Sequence, residues 1–288
     1  MRYRWIAYFG LLLCSVTAHA QSTVWAIHGP HNTVYLAGSV HLLRPDNSSL
    51  PAAFNKAYDD AETLVMELDL DDFDPAVAQR WMMEHGTLPG DATLKSTIGE
   101  VRYKRLQTEA ARLGLPLQNL QKFEPWPVAL TLVEMQYSKL GFDPQEGVER
   151  QLERRARADG KEIRGLETLA EQLGKIDGLT YAQQARFLDL TVQDMHEMED
   201  DTDELLAAWR AGDNEKLTKL LSVEYKGFPE LYNSLVTERN HNWVPKIEAL
   251  LADRDKDYMV VVGALHLVGK NGLIELLTQR GLKPAVLN

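Results

Sequence analysis

The run Tyr258-Met259-Val260-Val261-Val262-Gly263-Ala264-Leu265-His266-Leu267-Val268-Gly269 decides the fold. Its apolar core is too short for a long helix and rich in β-branched valine, so it reads as a buried strand that stops at Gly263 and delivers His266 just beyond its carboxyl end. Thr33-Val34-Tyr35-Leu36-Ala37-Gly38-Ser39-Val40-His41-Leu42-Leu43 repeats the pattern: strand, glycine, two residues, histidine, apolar pair. One G-x-x-H carries almost no information, because a lone histidine at a strand end is commonly satisfied by local hydrogen bonding. Two copies, each behind an apolar strand and near opposite ends of the chain, predict two halves that meet at one site.

Working outward, Trp25-Ala26-Ile27 and the strand after Thr33 flank a turn-rich break, His28 to Asn32, so the pair reads as a hairpin. The H-x-x-H in that break resembles a metal pair, but Gly29-Pro30 forbids the helix that would put both rings on one face, which leaves a solvated turn. Pro51 starts a helix through Ala61, and Thr63 to Leu70 returns as a strand whose alternation sets Glu67 apart from Leu64, Met66 and Leu68. A carboxylate inside an apolar strand is either half of an ion pair or a site residue. Pro75 to Leu140 is helical apart from a short strand expected at Leu117 to Leu120. A charged helix over Gln145 to Asp159 and a strand over Lys161 to Glu167 follow. Thr180 to Leu251 is almost wholly helical, and its acidic run Glu197 to Glu204 reads as a solvated helix end because the alternating loop pattern of a calcium site is missing. A helix over Gly269 to Arg280 and a last strand over Lys283 to Leu287 close the chain. The fold class is therefore α/β: a layered mixed β-sheet core with flanking helices and a helix-rich region between the two G-x-x-H strands.

Residues 1–20 read as a signal peptide, with Arg2 and Arg4, an apolar run from Trp5 to Val16, and the small-x-small signal Ala18-His19-Ala20. An uncleaved membrane anchor is the alternative, and Leu13 before Cys14 argues against a lipid anchor. Cleavage removes the only cysteine, so disulfides, thiolate catalysis and cysteine metal ligands are excluded from the mature protein. The full chain carries a net charge of -11, and the leader takes two arginines with it. That acidity disfavours nucleic acid or an anionic membrane as partner and fits an exported protein, periplasmic or secreted, with no integral membrane segment after cleavage. Residues 21–288 form one domain, with a helical cap or lid over about 180–251 and no low-complexity linker.

Ligands of open α/β sheets gather outside the carboxyl ends of strands, where His41 and His266 are expected. Two histidines and Glu67 suffice to hold a catalytic divalent metal with an open position, zinc included. The same residues could instead activate water without a metal, one group taking the proton while the others orient it. The spacing does not decide between these. Arg239-Asn240, Glu124, Glu146 and Glu167 are unremarkable taken singly. The G-x-S-x-G elbow, P-loop, dinucleotide fingerprint and H-E-x-x-H are all missing from the sequence.

Together these words resemble the TraB/GumN family, which includes the Tiki proteases that trim Wnt proteins. The likeness rests on Val34 to His41, Val65-Met66-Glu67-Leu68-Asp69 and Val262 to Gly269, with Gly141-Phe142-Asp143, Gly160-Lys161, Gly165-Leu166-Glu167-Thr168 and Glu238-Arg239-Asn240 between them. It implies a Tiki-like, erythromycin-esterase-like core with His41, Glu67 and His266 in the site as catalytic and metal-holding residues, and Arg239 and Asn240 close by. It also implies metal-dependent proteolysis supported by manganese or cobalt, or an esterase branch using water activated by His and Glu. The leading expectation is an exported metal-dependent hydrolase, a peptidase, in which Arg239 and Asn240 bind the substrate carbonyl. A noncatalytic binding protein for a peptide or small metabolite, and a metal-free esterase, are the alternatives.

Overall fold

The computed structural model describes residues 22–69, 75–224 and 227–288; the expected leader and Leu70 lie outside them. In chain order the elements are β1 (Val24–His28), β2 (Thr33–Ser39), α1 (Ala52–Asp60), β3 (Thr63–Leu68), α2 (Pro75–His85), α3 (Leu94–Ile98), α4 (Glu100–Leu113) and α5 (Pro125–Lys139). They continue with α6 (Val148–Asp159), β4 (Glu162–Glu167), α7 (Leu169–Asp177), α8 (Tyr181–Asp194), α9 (Met198–Ala211), α10 (Asn214–Glu224) and α11 (Pro229–Tyr232). The last are α12 (Glu238–Leu251), β5 (Tyr258–Gly263), the single turn α13 (Ala264–Leu267), α14 (Leu273–Gln279) and β6 (Ala285–Val286).

The six strands form one mixed sheet in the order β4-β3-β5-β2-β1-β6. β5 lies at its centre, parallel to both β2 and β3, so its side chains meet helices on both faces and Tyr258 through Val262 are 0% exposed. That explains why its sequence runs apolar without alternation. β1 turns back on β2 as the expected antiparallel hairpin, and β6 adds to its outer edge. His28 and His31 are exposed in the connecting turn, while Asn32 folds inward and donates to the carbonyls of Leu250 (2.8 Å) and Lys256 (3.0 Å). The turn is solvated at its tip and pinned at its base.

The helices over 180–251 divide between two cores. α9 and α12 pack on the sheet through Trp209, Trp243, Val244 and Ile247, whereas α8 joins α3, α4 and α5 around Leu94, Leu106, Val128 and Leu132. The strand expected at Leu117–Leu120 is instead a 3₁₀ turn entered from Pro116, with Leu117 buried in that second core. The four residues find no sheet edge there, so the Pro-led turn wins over their apolar character. The helix expected from Gly269 begins only at Leu273, because Gly269 (φ 75°) and Asn271 (φ 65°) both take the left-handed conformation, which a helix cannot contain. The acidic run starts at the N-cap of α9 and continues past its first turn, with Glu199, Asp200 and Asp201 at the N-terminus where negative charge is stabilised, and Arg44 pairs with Glu199 and Asp203. No helix among the described residues is long and apolar enough to cross a membrane.

Candidate active site

The sheet register brings the two glycine-histidine words together. Ser39 pairs with Gly263, and Gly38 with Val262, so β2 and β5 end side by side at one sheet edge. On the other side of β5, Met66 pairs with Val261, which puts Glu67 of β3 at the same end. The two glycines serve different needs. A Cβ on Gly38 would lie 3.2 Å from the Cα of Ala264 and 3.3 Å from the carbonyl of Thr23, so its absence lets α13 settle against β2. The nearest atoms that a Cβ on Gly263 would meet all belong to side chains: Glu67 Oε1 at 3.5 Å, His41 Nε2 at 3.6 Å and His266 Cδ2 at 3.7 Å. His41, Glu67 and His266 therefore converge within 4 Å of one point above Gly263.

His266 is buried on α13, and its hydrogen bonds fix its protonation. The Asn240 amide donates to the carbonyls of His266 (3.1 Å) and Asn271 (2.8 Å), which makes its Oδ1 the acceptor of a proton from His266 Nδ1 at 2.7 Å. His266 Nε2 is then an acceptor and takes a hydrogen bond from Arg239 Nη1 at 3.1 Å. Burial, reinforced by the charges of Arg239 and His41 and opposed by Glu67, pushes the imidazole down to about 3, so it is neutral at physiological pH.

Arg239 stands one π-turn, Asn233–Thr237, and one residue into α12. It spends all five N–H donors inside the protein. Nε and Nη2 bind Glu167, Nη2 also binds Glu67, and Nη1 bonds Leu235 O (3.0 Å) and His266. The ring of Trp243, one turn further along α12, lies under the guanidinium at 4.7 Å and beside His266 at 4.6 Å. Burial works to raise the Glu67 carboxyl, but His266 when protonated, Arg239, His41 and the Gly263 N–H (2.8 Å) outweigh it and hold the group at about 2. Burial and the neighbouring Glu67 push Glu167 up, against the pull of Arg239.

His41 is placed differently. Its side chain is 67% exposed on the loop after β2, and Nδ1 lies 2.8 Å from Glu149 Oε1. The charge of Glu149 raises it to about 9, with the Glu149 hydrogen bond and Glu67 adding to the rise. Ser39 Oγ donates to the same Glu149 oxygen. His41 is thus the rim of the site, while Glu67, Arg239 and His266 form a buried floor.

Several of these roles are invisible in the sequence. Asn240, expected to bind a substrate carbonyl, is 0% exposed and uses both amide atoms to orient His266, so it has no free group to offer. Arg239, expected in the same role, is likewise saturated and serves as the counter-charge of two carboxylates. Ser39, Glu149, Gln172 and Trp243 escape a reading of residues one stretch at a time. Gln172, which donates to Glu67 Oε2 at 3.1 Å, had a local signal in the Thr168/Glu171 capping box that fixes the start of α7. Glu124 belongs to the second core, bonded to Tyr181 and Gln184.

A divalent cation meets the right donor types here, two imidazole nitrogens and a carboxylate. As placed, Arg239 occupies the lone pair of His266 Nε2 and its guanidinium, bound to Glu67, repels a dication, so a cation held by all three residues requires Arg239 to move. Among the described residues no group of three or more His, Cys, Asp or Glu side chains stands ready to hold a metal ion.

The uncharacterized protein YbaP of Escherichia coli strain K12 is 26% identical over 269 residues, 88% of this chain and 97% of that protein. YbaP of Shigella flexneri is 27% identical over 243 residues, 84% of this chain and 87% of its own length. An uncharacterized protein of Treponema pallidum strain Nichols is 25% identical over 166 residues, 57% of this chain and 49% of its own. No solved structure matches at a significant level. The model of the TraB/PrgY/gumN family matches residues 23–285, a span that begins before β1 and ends in β6 and so takes in both strand ends and all of the residues gathered above Gly263. The chain belongs to the TraB/PrgY/gumN family.

Proposed function

We propose that this chain is an exported hydrolase that activates water beside His41 and cleaves an acyl bond, with a peptide as the first substrate class to test. The observation that carries the reading is the convergence of Glu67 Oε1, His41 Nε2 and His266 on the space above Gly263. Neutral His41 takes a proton from water through Nε2 as the water oxygen adds to the carbonyl carbon, and returns it to the leaving group when the acyl bond breaks. Glu67, ionised and anchored by Arg239, Gln172 and the Gly263 N–H, accepts the second water proton in a hydrogen bond and fixes the direction of attack. The Arg239 cation stabilises the ionised Glu67, and neutral His266, bonded to Arg239 and Asn240, keeps the floor rigid. Export is supported by the basic, apolar, small-residue pattern of residues 1–20.

A metal-dependent version of the same hydrolysis is the second reading, favoured by two imidazoles and a carboxylate facing one point. It requires Arg239 to release His266 and Glu67. The purified mature protein, assayed for metal content and against a fluorogenic peptide library and p-nitrophenyl esters, with chelator and with added manganese, separates the cases. Turnover that survives the chelator and disappears in His41→Ala supports the first reading. Turnover restored only by metal supports the second, and saturable peptide binding without turnover under any condition leaves a binding protein.

A further inference from the structure

We infer that Glu149, with Ser39 behind it, is the positioning residue of this hydrolysis: it holds the Nδ1 proton of His41 and so turns the Nε2 lone pair toward the space above Gly263. The inference rests on the hydrolase reading for its kinetic consequence, and on geometry alone for its structural content. Glu149 lies on the first turn of α6, far from β2 in sequence, yet the backbone is shaped to bring the two together. Val148 N donates to Val40 O at 3.1 Å and Asp143 N to Leu43 O at 2.9 Å, so the chain entering α6 runs along the His41 loop like a short strand. Gly147, the residue before α6, lies so close that a Cβ there would fall 2.1 Å from the carbonyl oxygen of His41. Any side chain at 147 would push the two segments apart.

This contact delivers a carboxylate with one oxygen in two hydrogen bonds. Oε1 accepts from Ser39 Oγ and from His41 Nδ1, and the side chain is only 15% exposed although the imidazole it holds stands largely in solvent. Ser39 is itself fixed, since it ends β2 in register with Gly263. A chain of contacts thus runs from the sheet edge through Ser39 and Glu149 to His41 Nδ1, and leaves Nε2 as the nitrogen facing Glu67 and His266. Which ring nitrogen carries the proton is set by the bond the other makes, and here the acceptor at Nδ1 makes that choice. An exposed imidazole without this partner would rotate freely and spread its proton over both nitrogens.

The test has two arms. In the first, kcat and KM are measured for wild type, Glu149→Gln, Glu149→Asp, Ser39→Ala and His41→Ala, with a fluorogenic peptide library and p-nitrophenyl butyrate as probes. Glu149→Gln is expected to lower kcat about 10²-fold with KM within about twofold, Glu149→Asp to recover part of that loss, and Ser39→Ala to cost only a few-fold. Unchanged kcat in Glu149→Gln, with His41→Ala inactive, overturns the inference and leaves the hydrolase standing; full activity in His41→Ala sinks the hydrolase mechanism instead. In the second arm, ¹⁵N imidazole spectra of the mature protein at alkaline pH, with His41 assigned by its loss in His41→Gln, need no turnover. A neutral wild-type ring protonated at Nδ1 that shifts toward the Nε2–H form in Glu149→Ala supports the inference. A wild-type ring protonated at Nε2 overturns it, whether or not the variants fold.

Discussion

Gly263→Ala is expected to make the protein slightly more stable and inactive, a combination few other readings predict. The backbone there has φ −51° and ψ 138°, which any L-residue adopts, and the new Cβ would meet its nearest neighbours at 3.5, 3.6 and 3.7 Å, ordinary van der Waals distances. The Gly263 N–H that binds Glu67 is retained. Replacing glycine where no strain results restricts the unfolded chain and stabilises by about 0.4–1 kcal/mol. In a protein of this size that raises the melting temperature by about 1–4 °C. The same methyl stands in the space faced by Glu67 Oε1 and His41 Nε2, so a water bridging them is displaced by ~1 Å or excluded, which costs at least about 10² in rate. Thermal melts and initial rates on the responsive peptide or ester measure both halves. Retention of wild-type kcat in Gly263→Ala refutes the placement of the reaction, and a melting temperature several degrees lower refutes the account of Gly263 as an open position.

Arg239→Met leaves Glu67 and Glu167 buried beside each other without their cation and is expected to cost about 3–5 kcal/mol, read in urea melts; a loss under 1 kcal/mol would show the guanidinium to be expendable. Acid should destabilise the fold in two steps. His266 has its folded value near 3 against 6.5, so the stability of its neutral form is complete above 6.5 and is lost as pH falls below it; Glu67, near 2 against 4.5, adds a second loss as pH falls from 4.5. A melting temperature constant between these values down to pH 4.5, or unaltered in slope in His266→Asn, contradicts the assignment. Catalysis should change in the same direction over a higher window: if neutral His41 is the base, kcat/KM rises with pH and levels off above about 9, and a rate that falls on approaching 9 would make the protonated ring the active form.

The sheet was legible because its strands carry their own signals. β5 is apolar throughout since it is covered on both faces, and Glu67 stands out because a carboxylate inside such a strand demands a partner. The convergence of His41 and His266 could be expected from the repeated spacing, although only the parallel pairing of Ser39 with Gly263 gives it geometry. Glu149 could not be read in the same way. It sits in Val148-Glu149-Arg150-Gln151-Leu152-Glu153-Arg154-Arg155, where an acid in the first turn reads as a solvated charge matched to the helix dipole. Its partner comes from a segment a hundred residues earlier, and no local periodicity encodes that meeting. The role of Arg239 and Asn240 is hidden for a related reason: the pair is unremarkable on its helix, and only the fold brings both side chains onto His266, Arg239 at Nε2 and Asn240 at Nδ1.

The two G-x-x-H words are nearly identical as sequence and opposite as chemistry. Their shared spacing fixes only that a histidine follows the glycine near a strand end by three residues; what each ring becomes is decided by what packs around it. After Gly263 the chain coils at once into α13, which buries His266 between Asn240, Arg239 and Trp243 and makes protonation unfavourable. After Gly38 the chain stays open, so His41 reaches solvent and meets Glu149, which favours protonation. Environments that push two like groups apart divide labour between them: one imidazole fixes the floor and the other exchanges protons with whatever enters. A cation shared by the pair would need both Nε2 atoms equally free, and only His41 offers one without first displacing Arg239. The order of events at Arg239 is therefore where the metal-free and metal-dependent mechanisms of this site part.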